Sequence, residues 1–214
     1  MKNKGRLGID AFRRQIRAMR YDRGHKAETR ARIVQAAAAG IRAQGAEAIR
    51  VGDVMARAGL THGGFYAHFP SKEALVAEAI AQAFEDRYAG FLKHLDAPDP
   101  ATALAGLIDS YLSDAHVGTP ESGCPMPSLA GEVARMPDVA RNQMEAGWVR
   151  LVTGVENLLS RLGRPDAASL AVSVMNELVG ALTVARLVAD EPARQHILAS
   201  SRQALRQRLG LVDR

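Results

Sequence analysis

The side chains of this 214-residue chain best suited to chemistry lie in one short run, Ala58 to Lys72, AGLTHGGFYAHFPSK. Hydroxyls, two imidazoles, a phenol and a lysine fall there beside two adjacent glycines, groups that hydrogen-bond phosphates and base edges rather than make or break bonds. Gly59 stands where a helix stops, because a glycine just past the last helical residue takes the left-handed conformation without a Cβ clash. Thr61 is then placed to cap the next helix through its hydroxyl. Between Thr61 and Pro70 there is room for barely two turns, and Gly63 and Gly64 make that helix intrinsically poor, each by about 1 kcal/mol relative to alanine. Close approach of the backbone to a large rigid partner justifies them, and phosphates and base edges in a major groove are such a partner.

The same run resembles the helix-turn-helix signature of the TetR family of bacterial transcription regulators. The matching positions are Gly59, Thr61, Gly63, Phe65, Tyr66, His68, Phe69, Ser71, Lys72 and Glu73. The resemblance reaches upstream to Lys26 and covers about fifty residues strongly. It implies a recognition helix opened by Thr61, His62, Gly63 and Gly64, with Tyr66 and His68 on phosphates and Lys72 adding a charge-assisted contact at the next helix start. Lys26, Thr29, Arg30 and Arg50 are candidate clamps on the phosphate backbone. Phe65 and Phe69 read as core.

The elements that must position these groups are helices. From Lys26 to Gln44, Ile33, Ala37 and Ile41 recur at helical spacing, with Arg30, Arg32 and Arg42 elsewhere on the surface, and Gly45 ends the helix. Gly40 stands where the family carries a bulky apolar residue, so the first helix should pack with a smaller contact. A second short helix, Val51 to Ala58, follows Arg50, which replaces the usual Ser or Thr cap. Pro70 and Ser71 stop one helix and start a long one to about His94. Asp99 and Pro100 open another, with Leu104, Leu107, Ile108, Tyr111 and Leu112 on one stripe. Residues 117–127, VGTPESGCPMP, read as a loop, and a helix over about 128–135 follows. Pro137 opens a long helix striped by Met144, Trp148, Leu151, Val155, Leu158 and Leu162, and the last two helices cover about 166–189 and 192–209. No segment alternates as a half-buried strand does. The expected fold is all α, about nine helices: a basic arm over 1–25, a three-helix head over 26–72 and a helical body over 73–214. Met19 offers an alternative start, so residues 1–18 are either part of that arm or outside the natural product.

Charge divides the chain the same way. Residues 1–72 carry 15 Lys and Arg against 5 Asp and Glu, whereas residues 73–214 carry 13 against 18. A basic head on an acidic body fits a polyanionic partner for the head. The 47% hydrophobic content is ample for a packed core and excludes wholesale disorder. The basic N-terminus lacks the apolar run of a secretory signal. The most membrane-like stretch, 169–189, is interrupted by Asn176, Glu177 and Arg186, so a helix buried on most sides is expected rather than a span. One cysteine suits a reducing cytosol, and a cytoplasmic protein is expected. The six histidines do not pair at metal-ligand spacing, and no phosphate loop, nucleophile elbow or carboxylate pair is found, so neither a metal, a cofactor nor an enzyme is expected.

In the body, Phe84, Tyr88, Tyr111, Leu112, Trp148 and Leu151 read either as the lining of an apolar effector pocket or as core. Cys124, between Gly123 and Pro125 at a helix start, reads either as a redox or electrophile sensor whose thiol is acidified by the helix dipole, or as a buried side chain. The family resemblance implies a homodimer joined by the last two helices, with Val172, Met175, Val179, Leu182 and Leu205 as the expected seam. It also implies a pseudo-palindromic duplex operator and a small-molecule effector that loosens it. A repressor, an activator of the same build and a helical module that binds only protein stand as the three readings.

Overall fold

The computed structural model describes the backbone of residues 4–95 and 97–211, and side chains within 24–94 and 97–211. The basic residues Lys2 to Arg23 therefore lie outside the described side chains. Among the described residues there is no strand, only helices joined by short turns. They are α1 (Lys4–Gln44), α2 (Val51–Arg57), α3 (Lys72–Leu95), α4 (Pro100–Tyr111), α5 (Asp114–Gly118), α6 (Met126–Leu129), α7 (Asp138–Arg161), α8 (Ala167–Leu187) and α9 (Glu191–Leu209). Three tighter 3₁₀ segments, His62–Ala67, Pro120–Ser122 and Ala130–Arg135, complete them.

The stripes read from sequence are the buried ones. Ile33, Ala37 and Ile41 of α1 meet Val54 and Met55 of α2, Phe65, Phe69 and the first turns of α3 in one apolar core. Gly40 has no spare room around it, because a Cβ there would come within 2.7 Å of Ile49 Cδ1. The missing side chain is replaced by that isoleucine. α3 continues out of the head and packs along α7, where Gly147 exists because Phe84 occupies the space a Cβ would need. α7, α8 and α9 then lie side by side. Asp99 caps α4 through Ala101 and Thr102 N–H with Pro100 in the first turn, and Asp190 caps α9 through Ala193 N–H.

Four expectations are corrected. The stretch 117–127 is not a plain loop but carries the end of α5, a 3₁₀ turn and the start of α6; Ser113 caps α5 through His116 N–H, a local signal too short to show as periodicity. The helix expected over 128–135 is split, α6 ending at Leu129 and tighter turns following. Arg42 is not on the surface. It is 4% exposed, and its guanidinium donates to Glu121 O at 2.6 Å, Ala83 O at 3.3 Å and Asp86 Oδ2 at 3.0 Å. A long side chain on a helix edge can be folded over by a neighbouring segment that periodicity does not see.

The fourth correction concerns α8 and the seam. Only 39% of the most apolar window of α8 is buried, so the helix is covered on one side, not most. Met175, Leu182 and Leu205 are within 1% of full burial inside the protomer, where they close α8 and α9 on the body, and cannot also face a second copy. Val172 is exposed and Val179 half-buried at the edge of that buried face, while Val184 and Leu187, the latter 82% exposed, lie further round the helix. The seam expected from sequence mixed residues that close the protomer with residues left partly or wholly outside it.

Candidate nucleic-acid interface

The head presents one side to solvent and uses the other as core. Gly59 takes φ +71° just past α2, and Leu60 N–H closes back on Met55 O at 2.9 Å, the wide loop that ends a helix with a left-handed glycine. The chain then makes a single 3₁₀ segment, His62–Ala67, tighter than an α-helix. Thr61 does not cap it with its hydroxyl; only the Thr61 carbonyl is used, accepting from Gly64 N–H at 3.1 Å. Phe65 and Phe69 are 1% exposed, stacked with centroids 5.7 Å apart. Their burial holds the segment down and turns Thr61, His62, Gly63 and Tyr66 outward, the last 74% exposed.

Gly63 meets nothing: a Cβ there would have no atom within 4 Å, and its φ is not left-handed. Nothing inside the chain requires a glycine at that position. Gly64 faces Met55 at ordinary contact distance and is half-buried. His62 lies against the first turn of α2, 3.4 Å from where a Gly52 Cβ would stand, and Arg50, just before that turn, is exposed. Arg50 makes no side-chain cap, as its type requires.

A second cationic group forms where α1 crosses the end of the 3₁₀ segment. Arg30 forks onto both oxygens of Glu78 and lies 4.5 Å over the Phe69 ring. Burial, then the charges of Lys26 and Arg30, push the His68 imidazole below its ordinary pKa. Its Nδ1 is buried without a partner. Lys26 is exposed. Thr29 is 6% exposed, its hydroxyl 3.5 Å from Arg32 Nη2, so it is corrected from clamp to buried helix residue. Lys72 is half-buried and already donates to Glu47 O at 3.3 Å.

The head is fastened to the body by groups the sequence did not single out. Glu132 Oε2 accepts from Ala46 N–H at 2.8 Å and Glu47 N–H at 3.1 Å, closing the end of α1, while Arg135 pairs with Glu47 at 2.6 Å. Gly45, at φ +87°, leaves the space that the Glu132 carboxylate enters. Ser128 Oγ donates to Arg42 O at 2.6 Å. Motion of residues 120–135 is thus tied to both ends of the Arg42–Glu47 turn.

Two body expectations meet the same segment. Cys124 is fully buried, and burial pushes its thiol pKa up, in keeping with the buried-side-chain reading and the reverse of what an acidified sensor thiol needs. The helix it opens is the four-residue α6, too short to supply the expected dipole effect. Phe84, Tyr111, Leu112 and Leu151 are almost wholly buried, Tyr88 and Trp148 partly so; Tyr88 stacks on Phe91 and carries Arg150 3.7 Å above its ring. Among the described residues no group of His, Cys, Asp and Glu could hold a metal ion.

Residues 33–79 match the model of the bacterial regulatory proteins of the tetR family. No curated protein matches the chain by sequence. Among solved structures, a TetR transcriptional regulator from Chloroflexus aurantiacus is 26% identical with a TM-score of 0.73, covering 86% of this chain and 96% of that one. A TetR-family regulator from Agrobacterium tumefaciens is 21% identical with a TM-score of 0.72, covering 84% and 98%. Reduced E. coli NemR is 17% identical with a TM-score of 0.69, covering 82% and 96%. Residues 33–79 thus match the tetR family model, and the chain shares the fold of solved TetR-family regulators along most of its length.

Proposed function

We propose that the chain is a dimeric, sequence-specific transcriptional regulator that represses by occupying a pseudo-palindromic operator and is released by a small-molecule effector. In this reading residues 26–72 are the head, 73–214 the effector-binding and dimerisation body, and the protein is cytoplasmic and not an enzyme. The observation that carries it is the exposed tip: His62, Gly63 and Tyr66 face outward over a buried aromatic pair, and Gly63 has no internal reason to lack a side chain. His62 and Thr61 are assigned to base edges. Arg50, Lys26, Tyr66, His68 and Arg30 are assigned to phosphates, Arg30 retaining Glu78 as the carboxylate that orients it. Lys72 reaches phosphate only by leaving Glu47 O, so its part is the smaller.

The dimer surface is the outer face of α8, Val172, Val179, Val184 and Leu187, with the outer face of α9 beside it. Repression is relieved when the effector changes the pose of residues 120–135, because Arg42, Ala46 and Glu47 follow them and the tilt of the head sets the distance between two recognition segments.

Fluorescence anisotropy with a labelled duplex tests the assignment. Binding is expected to weaken steeply with salt, since each neutralised phosphate releases counterions. Arg50→Ala should lower affinity for all duplexes alike and flatten the salt slope by about one, whereas His62→Ala should change the ranking of duplexes. An absence of duplex binding at low salt ends the reading in favour of a protein-binding module.

A further inference from the structure

The body holds two guanidiniums that converge without forming an ion pair with any described carboxylate. Arg87 of α3 lies 4.9 Å over the Tyr111 ring, and Arg186 of α8 donates through Nη2 to His116 O at 2.7 Å. The Nε of each is buried and unpartnered. Both charges act on the Tyr111 hydroxyl, on a side chain 1% exposed; it adjoins the Cys124 thiol but makes no hydrogen bond of acceptable geometry.

The surrounding chain is built to hold this arrangement. His116 Nε2 accepts from Cys124 N–H at 2.9 Å, so its proton sits on Nδ1, which donates to Tyr111 O at 2.8 Å. That neutral imidazole stands edge-on to the Tyr111 ring, centroids 4.7 Å apart. Gly123 passes so close that a Cβ would fall 2.7 Å from the imidazole and 3.1 Å from Arg186 Nη2. Both positive charges bear on Tyr111, His116 and Cys124, and with the Nε of each buried and unpartnered the cluster calls for an anion. The acid that acts on Arg186 is Glu121, whose exposed carboxylate favours the charged form. It offsets one positive charge and leaves one.

We propose that Arg87, Arg186 and the Tyr111 hydroxyl form a binding site for a small organic carboxylate, the guanidiniums engaging its two oxygens and the phenol donating a further hydrogen bond. The forked donors of arginine match a planar carboxylate, and a single residual charge suits a monoanion better than a phosphate dianion. The apolar walls, the Tyr111 ring and the Cys124 thiol, suit a short aliphatic or aromatic tail. As the effector site, this inference rests on the reading of the preceding section; as a carboxylate site, it does not. It takes Tyr111 from the residues expected to line an apolar pocket and gives it a polar role. Bound there, the ligand touches the segment whose Glu121 O and Ser128 Oγ grip Arg42 in the head.

The test uses the full DNA-free chain, titrated calorimetrically with propanoate, hexanoate and benzoate, their primary amides, and inorganic phosphate. At least one carboxylate is expected to bind at least about tenfold more tightly than its amide and than phosphate, since charge-assisted hydrogen bonds are at stake. Arg87→Met and Arg186→Met should each weaken it at least about tenfold, with Arg186→Lys recovering part and Tyr111→Phe losing severalfold. Circular dichroism identifies any variant that fails to fold, and Tyr111→Phe, which removes one oxygen, then decides. Amides binding as well as carboxylates, phosphate binding more tightly, no ligand of the panel binding, or unchanged affinity in the folded variants each overturn the site. Operator release is measured separately on the unaltered protein. Carboxylate binding without release keeps the site and ends the effector reading; release by neutral compounds that the arginine variants do not alter keeps the effector reading and ends the site.

Discussion

His116 shows how far one side chain depends on its surroundings. Burial, then the charge of Arg87, push its pKa from 6.5 down to about 4, while Tyr111 O opposes the shift by accepting a hydrogen bond from the ring. Between those values the unfolded chain takes up a proton that the folded chain refuses. Stability is therefore expected to be full above pH 6.5, to fall as the pH drops toward 4, and to level off below it, by roughly 3 kcal/mol in all. His68 and His94, pushed the same way by burial, add to the same slope. Thermal melts across this range check it: His116→Gln should lower stability at pH 7 yet flatten the decline, and an unchanged slope would show the imidazole to be uninvolved. Little of this was legible in sequence. His116 stood as one of six unpaired histidines, and Cys124 seemed to open a helix, because the groups that neutralise one and bury the other come from α3, α4 and α8, far along the chain. The one available signal was Arg186, a charge inside an otherwise apolar helix.

At the scale of elements, the short recognition segment was the most legible part, since a helix stop, paired glycines, two aromatic anchors and a new cap are local signals. Phe65 and Phe69 are buried and Tyr66 is exposed as their types and spacing require. The hydroxyl cap expected at Thr61 does not form, because a 3₁₀ segment closes on the threonine carbonyl instead. α8 shows the opposite case: it is apolar on both faces, so periodicity could not divide residues that close the protomer from residues left outside. Gly63 offers an element-scale test with opposite signs for fold and function. Gly63→Ala meets no atom within 4 Å and raises helix propensity, so it should leave stability unchanged or raise it by up to about 1 kcal/mol. The same methyl stands between the backbone and a groove and should weaken duplex binding. A melt showing marked destabilisation, or binding left intact, would remove Gly63 from the interface.

At the scale of the whole molecule three regions bear on function: an exposed head tip, an interior polar cluster and the outer face of α8. The segment 120–135 lies between the first two, gripping Arg42, Ala46 and Glu47. Val184 tests the third. It is 46% exposed in the protomer, so Val184→Asp should alter protomer stability little while placing a carboxylate in the seam at a cost of several kcal/mol. Sedimentation at micromolar concentration should show the unaltered chain as a dimer and the variant as a folded monomer, and a dimer surviving the change would place the seam elsewhere.

The most direct test of the central claim is selection of bound duplexes from a random pool by the full chain at moderate salt. The account predicts enrichment of one pseudo-palindrome, with half-sites about 10 base pairs apart centre to centre or a multiple of that. It predicts loss of the enrichment in both His62→Ala and Val184→Asp. Retention of unselected duplexes alone, or enrichment of an asymmetric single site unaffected by Val184→Asp, would contradict it.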